Sequence, residues 1–292
     1  MCGVQQHDRP ASIVTAQDTP ETIANGKTPV LRDDVSASAM DGTIIRGYRY
    51  RRKNTPNENT GSLAIAEQVP LLCIPSKTGN SREFHTFILA VLRLKAGART
   101  IYTIDMRGRG RSDYADIDTY SALTEAEDLI SFCDAMGLHH IDVLASGGGS
   151  MAALLVAPRR PGLIRSIVFN DGGPEQDGVG VARTKAIYQL MPEPANWDEA
   201  VDILQQAKGK NFPALSDKQW LEMAQTIFEE TEGTLIRSHD KVFTGEESRI
   251  DFDERLPMYW IEFAMFKTKP VLIFRGKHSL LLTDTLVQKM KN

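Results

Sequence analysis

The 292-residue sequence has little cysteine and no long apolar run. Its three cysteines, Cys2, Cys73 and Cys133, are odd in number and widely spaced, which fits reduced thiols and argues against a disulfide framework. No stretch approaches the roughly 20 apolar residues of a membrane span. The start, MCGVQQHDRP, also lacks the basic and apolar regions of a signal peptide. We therefore expect a soluble cytoplasmic protein without a membrane partner.

The charge balance shows no excess of basic residues, and the formal net charge of −4 gives no reason to expect nucleic acid as a partner. The most basic motif, RGRGR at 107–111, is followed closely by Asp113, Asp116 and Asp118, and we expect its arginines to pair with such acids. The histidines, cysteines and carboxylates form no cluster at metal-ligand spacing, so we expect no metal. Nothing in the sequence indicates an oligomeric state.

Strand-like and helix-like segments alternate through much of the chain. The wholly apolar run VPLLCIP (69–75) is typical of a strand buried on both faces, and HIDVLAS (140–146) also predicts a strand. The remaining predicted strands cover 43–52, 99–106, 165–171 and 269–276, and the predicted helices cover 82–97, 119–137 and 150–160. This alternation predicts an α/β fold with a mostly parallel sheet flanked by helices.

Two regions depart from the alternation. Residues 1–39 are polar and have no sustained period, which predicts a flexible N-terminal arm. Residues from about 178 to 265 contain several helix-like stretches and no convincing strand, which predicts a helical cap over one end of the sheet. The sequence therefore predicts one domain over 40–292 that carries this cap.

One short segment, DVLASGGGSMAALL (142–155), predicts a strand, a tight glycine turn and a helix in immediate succession. With LLCIPSKTGNSREF, TIDMRGRGRSDYAD, VFNDGGP and PVLIFRG in this order, the chain resembles the α/β-hydrolase superfamily, in its capped, esterase-like and lactonase-like small-molecule branch. The resemblance implies a hydrolase-type chemistry on esters or related small molecules, and no organic cofactor. It also implies a small-molecule ligand between cap and sheet.

The site residues that the resemblance implies are altered in this sequence. Family members carry a G-x-S-x-G nucleophile elbow, whereas residues 145–149 read Ala-Ser-Gly-Gly-Gly, so Gly147 occupies the nucleophile position. Lys77 and Gly148 would contribute the backbone N–H groups of the oxyanion loop. The family's acid position falls near Leu280, and no histidine follows at the expected distance. We therefore expect a C-terminally short and catalytically degenerate protein.

Two alternative interpretations of the glycine turn remain open. In the first, a displaced triad uses Ser146 or Ser150 as nucleophile, with Asp171 and His278 as acid and base. In the second, Gly147-x-Gly149-x-x-Ala152 forms a dinucleotide fingerprint, with Asp171 about 20 residues further along. A short C-terminus also predicts that the PVLIFRG strand lies at an exposed sheet edge, with marginal stability as a consequence.

Overall fold

A computed structural model describes residues 21–23, 29–53, 69–94, 99–244 and 256–292 of the chain. Ten strands occur in these residues: β1 (Glu21–Ile23), β2 (Val30–Ser38), β3 (Ile44–Arg52), β4 (Leu71–Ile74), β5 (Ile101–Ile104), β6 (Ile141–Ser146), β7 (Ile164–Asn170), β8 (Phe228–Thr231), β9 (Thr234–Arg237) and β10 (Val271–Phe274). Eight of them form one sheet in the order β1-β2-β3-β5-β4-β6-β7-β10. Strands β4, β5, β6, β7 and β10 pair in parallel, which confirms the predicted sheet.

Eight α-helices accompany the strands in the described residues: α1 (His85–Arg93), α2 (Ala122–Ala135), α3 (Gly149–Arg159), α4 (Gly178–Leu190), α5 (Trp197–Lys208), α6 (Asp217–Ile227), α7 (Trp260–Ala264) and α8 (Asp284–Lys291). Side-chain caps fix where some of them begin. Ser121 accepts a hydrogen bond from Thr124 N before α2, and Asn196 accepts one from Glu199 N before α5.

Helices cover both faces of the central strands. In β4, Leu72 and Ile74 belong to the apolar cluster that includes residues of α2 and α3, whereas Leu71 and Cys73 belong to the cluster with α1. Successive side chains of a strand point to opposite faces. A strand covered on both sides must therefore be apolar throughout, which is why these short runs identified the strands correctly.

The prediction of a flexible arm up to residue 39 is wrong for residues 21–23 and 30–38, which form strands β1 and β2. Strand β2 pairs antiparallel with β3 along its whole length, from Val30 opposite Arg52 to Ser38 opposite Ile44. The two consecutive acids in VLRDDVSAS concealed the strand from a hydropathy pattern. One of them, Asp33, is paired with Arg49 and Arg51 on the neighbouring strand. Residues 1–20 and 24–28 of the predicted arm lie outside the described residues.

Between β7 and β10 the chain forms a separate layer, here called the insertion, whose described part includes α4, α5, α6 and a β-hairpin. Its apolar cluster includes Tyr188, Leu204 and Trp220. The prediction that this region lacks strands is wrong, since β8 and β9 pair antiparallel around Glu232 and Gly233. Both turn residues have positive φ, +52° and +78°, as a tight two-residue hairpin turn requires.

The last strand of the described chain, β10, lies at the edge of the sheet and pairs with β7. Two of its side chains, Leu272 and Phe274, are 50% and 55% exposed. The predicted position at an exposed edge is therefore confirmed for the described residues, while the predicted marginal stability stays a prediction.

Two arginines of the RGRGR motif, Arg107 and Arg109, are inside the protein, whereas Arg111 is exposed. Arg107 donates to both carboxylate oxygens of Asp128 at 2.6 and 2.7 Å, and Arg109 donates to Glu125 at 2.8 Å. Both arginines are only 1% exposed, so they are not available to a nucleic acid. Pairing with acids was expected, but the acidic partners of these two arginines in the described residues are Asp128 and Glu125 on α2 and Asp41 after β2, and none of them lies at 113–118.

Candidate functional site

The glycine turn has the predicted place between β6 and α3, at the carboxyl ends of the parallel strands, where α/β sheets bind their ligands. Gly147 forms the tip of the turn with φ +46°, and its N–H donates to Asn170 O at 2.9 Å. A Cβ placed on Gly147 would meet only Ser76 Cβ, at 3.5 Å, outside its own neighbours in the chain. The nucleophile position of the turn therefore carries no side chain, although it has room for one.

A cavity of about 590 Å³ opens beside this tip. The turn, the loop after β4, α4 and the end of the insertion all contribute to its wall, including Ser76, Lys77, Glu83, Gly147, Gly148, Asp171, Val181, Thr184, Tyr188, Lys208 and Phe243. Its volume lies within the range of roughly 300–1,000 Å³ that is usual for small-molecule sites. A small organic compound therefore fits between the insertion and the sheet.

The two residues predicted for the oxyanion loop lie next to each other in this cavity. A Cβ placed on Gly148 would lie 3.1 Å from Lys77 Cβ and 3.7 Å from Lys77 N. In the described part of the chain, neither backbone N–H donates a hydrogen bond. Both are therefore available to a ligand, and their role as oxyanion donors stays a prediction.

The serines that flank the turn are held by the fold. Ser146 Oγ accepts a hydrogen bond from Asn170 Nδ2 at 3.0 Å. Ser150 is fully buried inside α3, which begins at Gly149, so Ser150 does not lie at the tip of the turn. Gly148 is the N-cap of α3, and Ser150 Oγ has no hydrogen-bond partner in the described residues.

Asp171 and His278 line a smaller adjoining cavity of about 300 Å³. Asp171 has φ +56°, and its Oδ1 accepts a hydrogen bond from Gly276 N at 3.1 Å. Ser146 lines the larger cavity with Asp171 but does not line the smaller one. Within the described chain no hydrogen bond joins the His278 imidazole to Asp171 or Ser146. Ser146 and Asp171 therefore line one cavity, and Asp171 and His278 line the other. The three residues of the displaced triad do not share one cavity.

The glycines of the dinucleotide fingerprint have a packing role. A Cβ on Gly149 would lie 2.2 Å from Pro75 O, so the protein's own loop occupies the space beside this residue. Ala152 is fully buried. These contacts explain the glycine and the small residue without a bound nucleotide.

The sequence analysis missed a serine–carboxylate pair in the cavity wall. Ser76 Oγ donates to Glu83 Oε1 at 2.6 Å, and Ser76 N donates to Glu83 Oε2 at 3.3 Å. Gly79 makes this contact possible, because a Cβ there would lie 1.3 Å from Glu83 Oε1. The signal in the sequence was Gly79-Asn80, a turn dipeptide between the serine and the acid.

Asn80 attaches this loop to the insertion. It is fully buried, and its Nδ2 donates to Thr226 O at 2.6 Å and to Ser238 Oγ at 2.9 Å. Its Oδ1 accepts from Arg82 N at 3.1 Å, which starts the 3₁₀ turn Ser81–Phe84 that carries Glu83. The position of the carboxylate is thus set by the same residue that holds the insertion in place.

Two carboxylates near the cavity differ in their ionisation. Burial raises the pKa of Glu83, and its hydrogen bonds from Ser76 only partly oppose this. Burial also acts to raise the pKa of Glu125, but attraction by Arg109 and Lys77 outweighs it and holds that pKa at about 2. Glu125 is therefore an ionised partner for Lys77, whereas Glu83 holds a proton over a wider pH range.

Among the described residues, no group of three or more histidines, cysteines or acids is placed to hold a metal ion. None of the helices among these residues is both long and apolar enough to cross a membrane.

Comparisons with known proteins identify the fold family. The family model described as α/β hydrolase fold matches residues 69–227. Among solved structures, an α/β hydrolase from Novosphingobium aromaticivorans DSM 12444 has a TM-score of 0.76 at 26% sequence identity, covering 89% of this chain and 86% of that one.

Two curated relatives carry names that specify reactions. The 2-(acetamidomethylene)succinate hydrolase of Mesorhizobium japonicum is 26% identical over 216 residues, which are 73% of this chain and 72% of the relative. Ethanol acetyltransferase 1 of Wickerhamomyces anomalus is 32% identical over 92 residues, which are 31% of this chain and 23% of the relative, so the match spans about a quarter of that protein. With a family model that matches more than half of its length, this chain belongs to the α/β-hydrolase fold family.

Proposed function

We propose that this chain binds a small acyl compound, an ester or amide, in the 590 Å³ cavity, and that its glycine turn takes part without forming a covalent bond. The observation that carries the proposal is Gly147. It has the place and the φ of +46° that the family's turn gives to a nucleophile, yet it presents backbone alone.

The composition of the cavity wall supports an acyl ligand. The free N–H groups of Lys77 and Gly148 are suited to a carbonyl oxygen, and Val181 and Phe243 supply apolar contact. The names of the two relatives both refer to an acetyl group, one transferred to an alcohol and the other part of an amide. These features favour a compound with a short acyl group over a larger ligand.

The absence of a nucleophilic side chain at Gly147 supports the proposal that the glycine turn forms no covalent bond with the ligand. Removing the serine of a serine hydrolase lowers turnover by about 10⁶-fold. Ser146 is a poor replacement, because its hydroxyl is engaged by Asn170 and has no contact with His278. We therefore propose that the elbow of the family is degenerate here and serves only to bind.

Ligand binding by a variant with a filled cavity tests the proposal. Val181 lines the cavity on α4, whereas Val179 on the same helix is 48% exposed and does not line it. We expect N-acetylglycine or ethyl acetate to raise the melting temperature of the wild type, since a ligand at about 100 times its Kd stabilises the fold by about 2.7 kcal/mol. Val181→Trp should abolish the shift, and Val179→Trp should preserve it.

Equal shifts in both tryptophan variants would place the ligand outside this cavity and contradict the proposal. No shift in the wild type with any short ester or amide would also contradict it.

A further inference from the structure

We infer that Ser76, with Glu83 as its base, supplies the nucleophile that the glycine turn lacks. The inference rests on the proposed function, because the same cavity must first hold an acyl compound. It assigns a hydrolytic step to two residues outside the turn, on the loop that follows β4.

The hydrogen bonding of the pair suits proton transfer. The Ser76 hydroxyl donates to Glu83 Oε1 at 2.6 Å, which is within the reach required of a nucleophile and its base. The second oxygen, Oε2, accepts from Ser76 N at 3.3 Å, so the backbone of the serine orients the carboxylate. The carboxylate therefore combines the roles of base and orienting acid.

The location of Ser76 matches the gap at the tip of the turn. Ser76 Cβ is the atom that a Cβ on Gly147 would meet, at 3.5 Å, and both residues line the large cavity. Lys77 follows directly, and its free backbone N would lie 3.7 Å from a Cβ placed on Gly148. In a nucleophile elbow too, the residue after the nucleophile donates to the oxyanion. A carbonyl carbon between Ser76 and these donors would be open to attack.

The reaction balances with ester and water alone. Ser76 Oγ forms a bond to the carbonyl carbon while its proton passes to Glu83 Oε1. The bond to the alkoxide then breaks, and Glu83 returns the proton to the departing alcohol, which leaves an acyl ester on Ser76. Water attacks this ester, Glu83 accepts a proton from the water, and the same proton restores the serine hydroxyl as the acid departs.

The burial of Glu83 favours a base. In the described residues Glu83 forms no salt bridge, and burial raises its pKa, a direction that the hydrogen bonds from Ser76 and the positive charge of Lys208 do not reverse. A general base works best when its pKa approaches the working pH. A carboxylate fixed by arginines would accept a proton much less readily.

The experiment is covalent labelling of the full-length protein with an alkyl fluorophosphonate, followed by peptide mass spectrometry. We expect phosphonylation of Ser76, and a rate at least about 100-fold lower in Ser76→Ala. The matched control is Ser166→Ala, which removes a serine that also donates to a carboxylate, Asp142 Oδ1, at 2.6 Å but lines neither cavity near the turn. This control should label at the wild-type rate.

Ligand-induced thermal shifts, recorded for each variant, separate the two proposals. Because Ser76→Ala removes a single oxygen, we expect it to fold and to retain the shift with N-acetylglycine. If the wild type shows the shift but is labelled at Ser146, at another residue or nowhere, the inference is overturned and the proposed function stands. If the wild type shows no shift with any short ester or amide, the proposed function is overturned, and the inference with it.

Discussion

Two serine–carboxylate pairs with the same oxygen-to-oxygen distance of 2.6 Å lie at opposite ends of the sheet. Ser76 and Glu83 are at the carboxyl ends of the parallel strands, beside the large cavity. Ser166 and Asp142 are near the start of β7 and β6, at the other end. The hydrogen bonds are alike, so the difference between the pairs must come from what surrounds them.

Arginine distinguishes the two carboxylates. Asp142 is paired with Arg99 at 2.5 Å and with Arg165 at 2.6 Å, whereas Glu83 forms no salt bridge in the described part of the chain. Burial acts to raise both pKa values. For Asp142 the hydrogen bonds from its arginines and from Ser166 outweigh burial and lower the pKa, while for Glu83 burial prevails. One pair is therefore a fixed structural link, and the other can exchange a proton.

The largest effect that we expect concerns reactivity. Glu83→Gln should slow fluorophosphonate labelling of Ser76 by about 100-fold, because an amide does not accept the serine proton. Asp142→Asn should leave the rate unchanged, since its carboxylate lies at the far end of the sheet. Equal rates in the two variants, measured on folded protein, would remove the functional difference between the pairs.

For the free energy of unfolding we expect the larger effect from Asp142→Asn and the smaller effect from Glu83→Gln. Asp142→Asn should lower the free energy of unfolding by about 2 kcal/mol, because it leaves two arginines without a buried counter-charge. Glu83→Gln should lower it by less than about 1 kcal/mol, since only a hydrogen bond from a neutral serine is altered. Urea unfolding at neutral pH measures both values. A larger loss for Glu83→Gln would contradict this assignment of roles.

A single methyl group tests the geometry of the reactive pair. Gly79→Ala keeps both side chains but must displace the Glu83 carboxylate, because its Cβ would lie 1.3 Å from Oε1 and 2.6 Å from Ser76 Oγ. We expect labelling to fall about 10-fold, in line with a loss of about 1.4 kcal/mol. The control is Gly178→Ala, where a Cβ would meet nothing within 4 Å. Wild-type labelling of Gly79→Ala would indicate that the hydrogen bond is not needed.

The smallest effect is the pH dependence of stability, which should have opposite signs for the two acids. A carboxyl group whose pKa is raised on folding stabilises the protein when protonated, so the contribution of Glu83 is present in acid and is lost as pH rises through that pKa. Asp142 has a lowered pKa, so its contribution is present above the ordinary aspartate range and is lost on acidification.

Unfolding free energies from pH 3 to 8, compared with those of Glu83→Gln and Asp142→Asn, measure these contributions. Differences that change in the same direction for both variants would contradict the assigned shifts.

Sequence patterns predicted the strands and helices whose burial is visible in consecutive residues. Runs such as that of β4 are apolar because helices cover both faces, and this requirement is visible in consecutive residues. Strand β2 was missed because Asp33 is neutralised by Arg49 and Arg51, which are distant in sequence. The β8–β9 hairpin was missed because its strands, FEET and TLIR, are mostly exposed to solvent and so do not form apolar runs.

The candidate site was predictable only in its turn. The sequence pattern of a strand, a run of glycines and a helix is sufficient to predict that Gly147 lies at the tip of the turn. The pair of Ser76 and Glu83 depends on a close approach at Gly79 and on a 3₁₀ turn stabilised by Asn80. Such contacts are set by three-dimensional packing, so the sequence did not show that Ser76 and Glu83 are partners.

The two bonds from Asn80 to Thr226 and Ser238 also bear on how a ligand enters. If the large cavity opened by movement of the β8–β9 hairpin, these two bonds would displace the loop that carries Ser76. The displacement would separate the Ser76 hydroxyl from Glu83. Passage along α4 leaves that loop undisturbed. We therefore expect substrate to enter, and product to leave, past Val181 and Thr184, because this route does not separate Ser76 from Glu83.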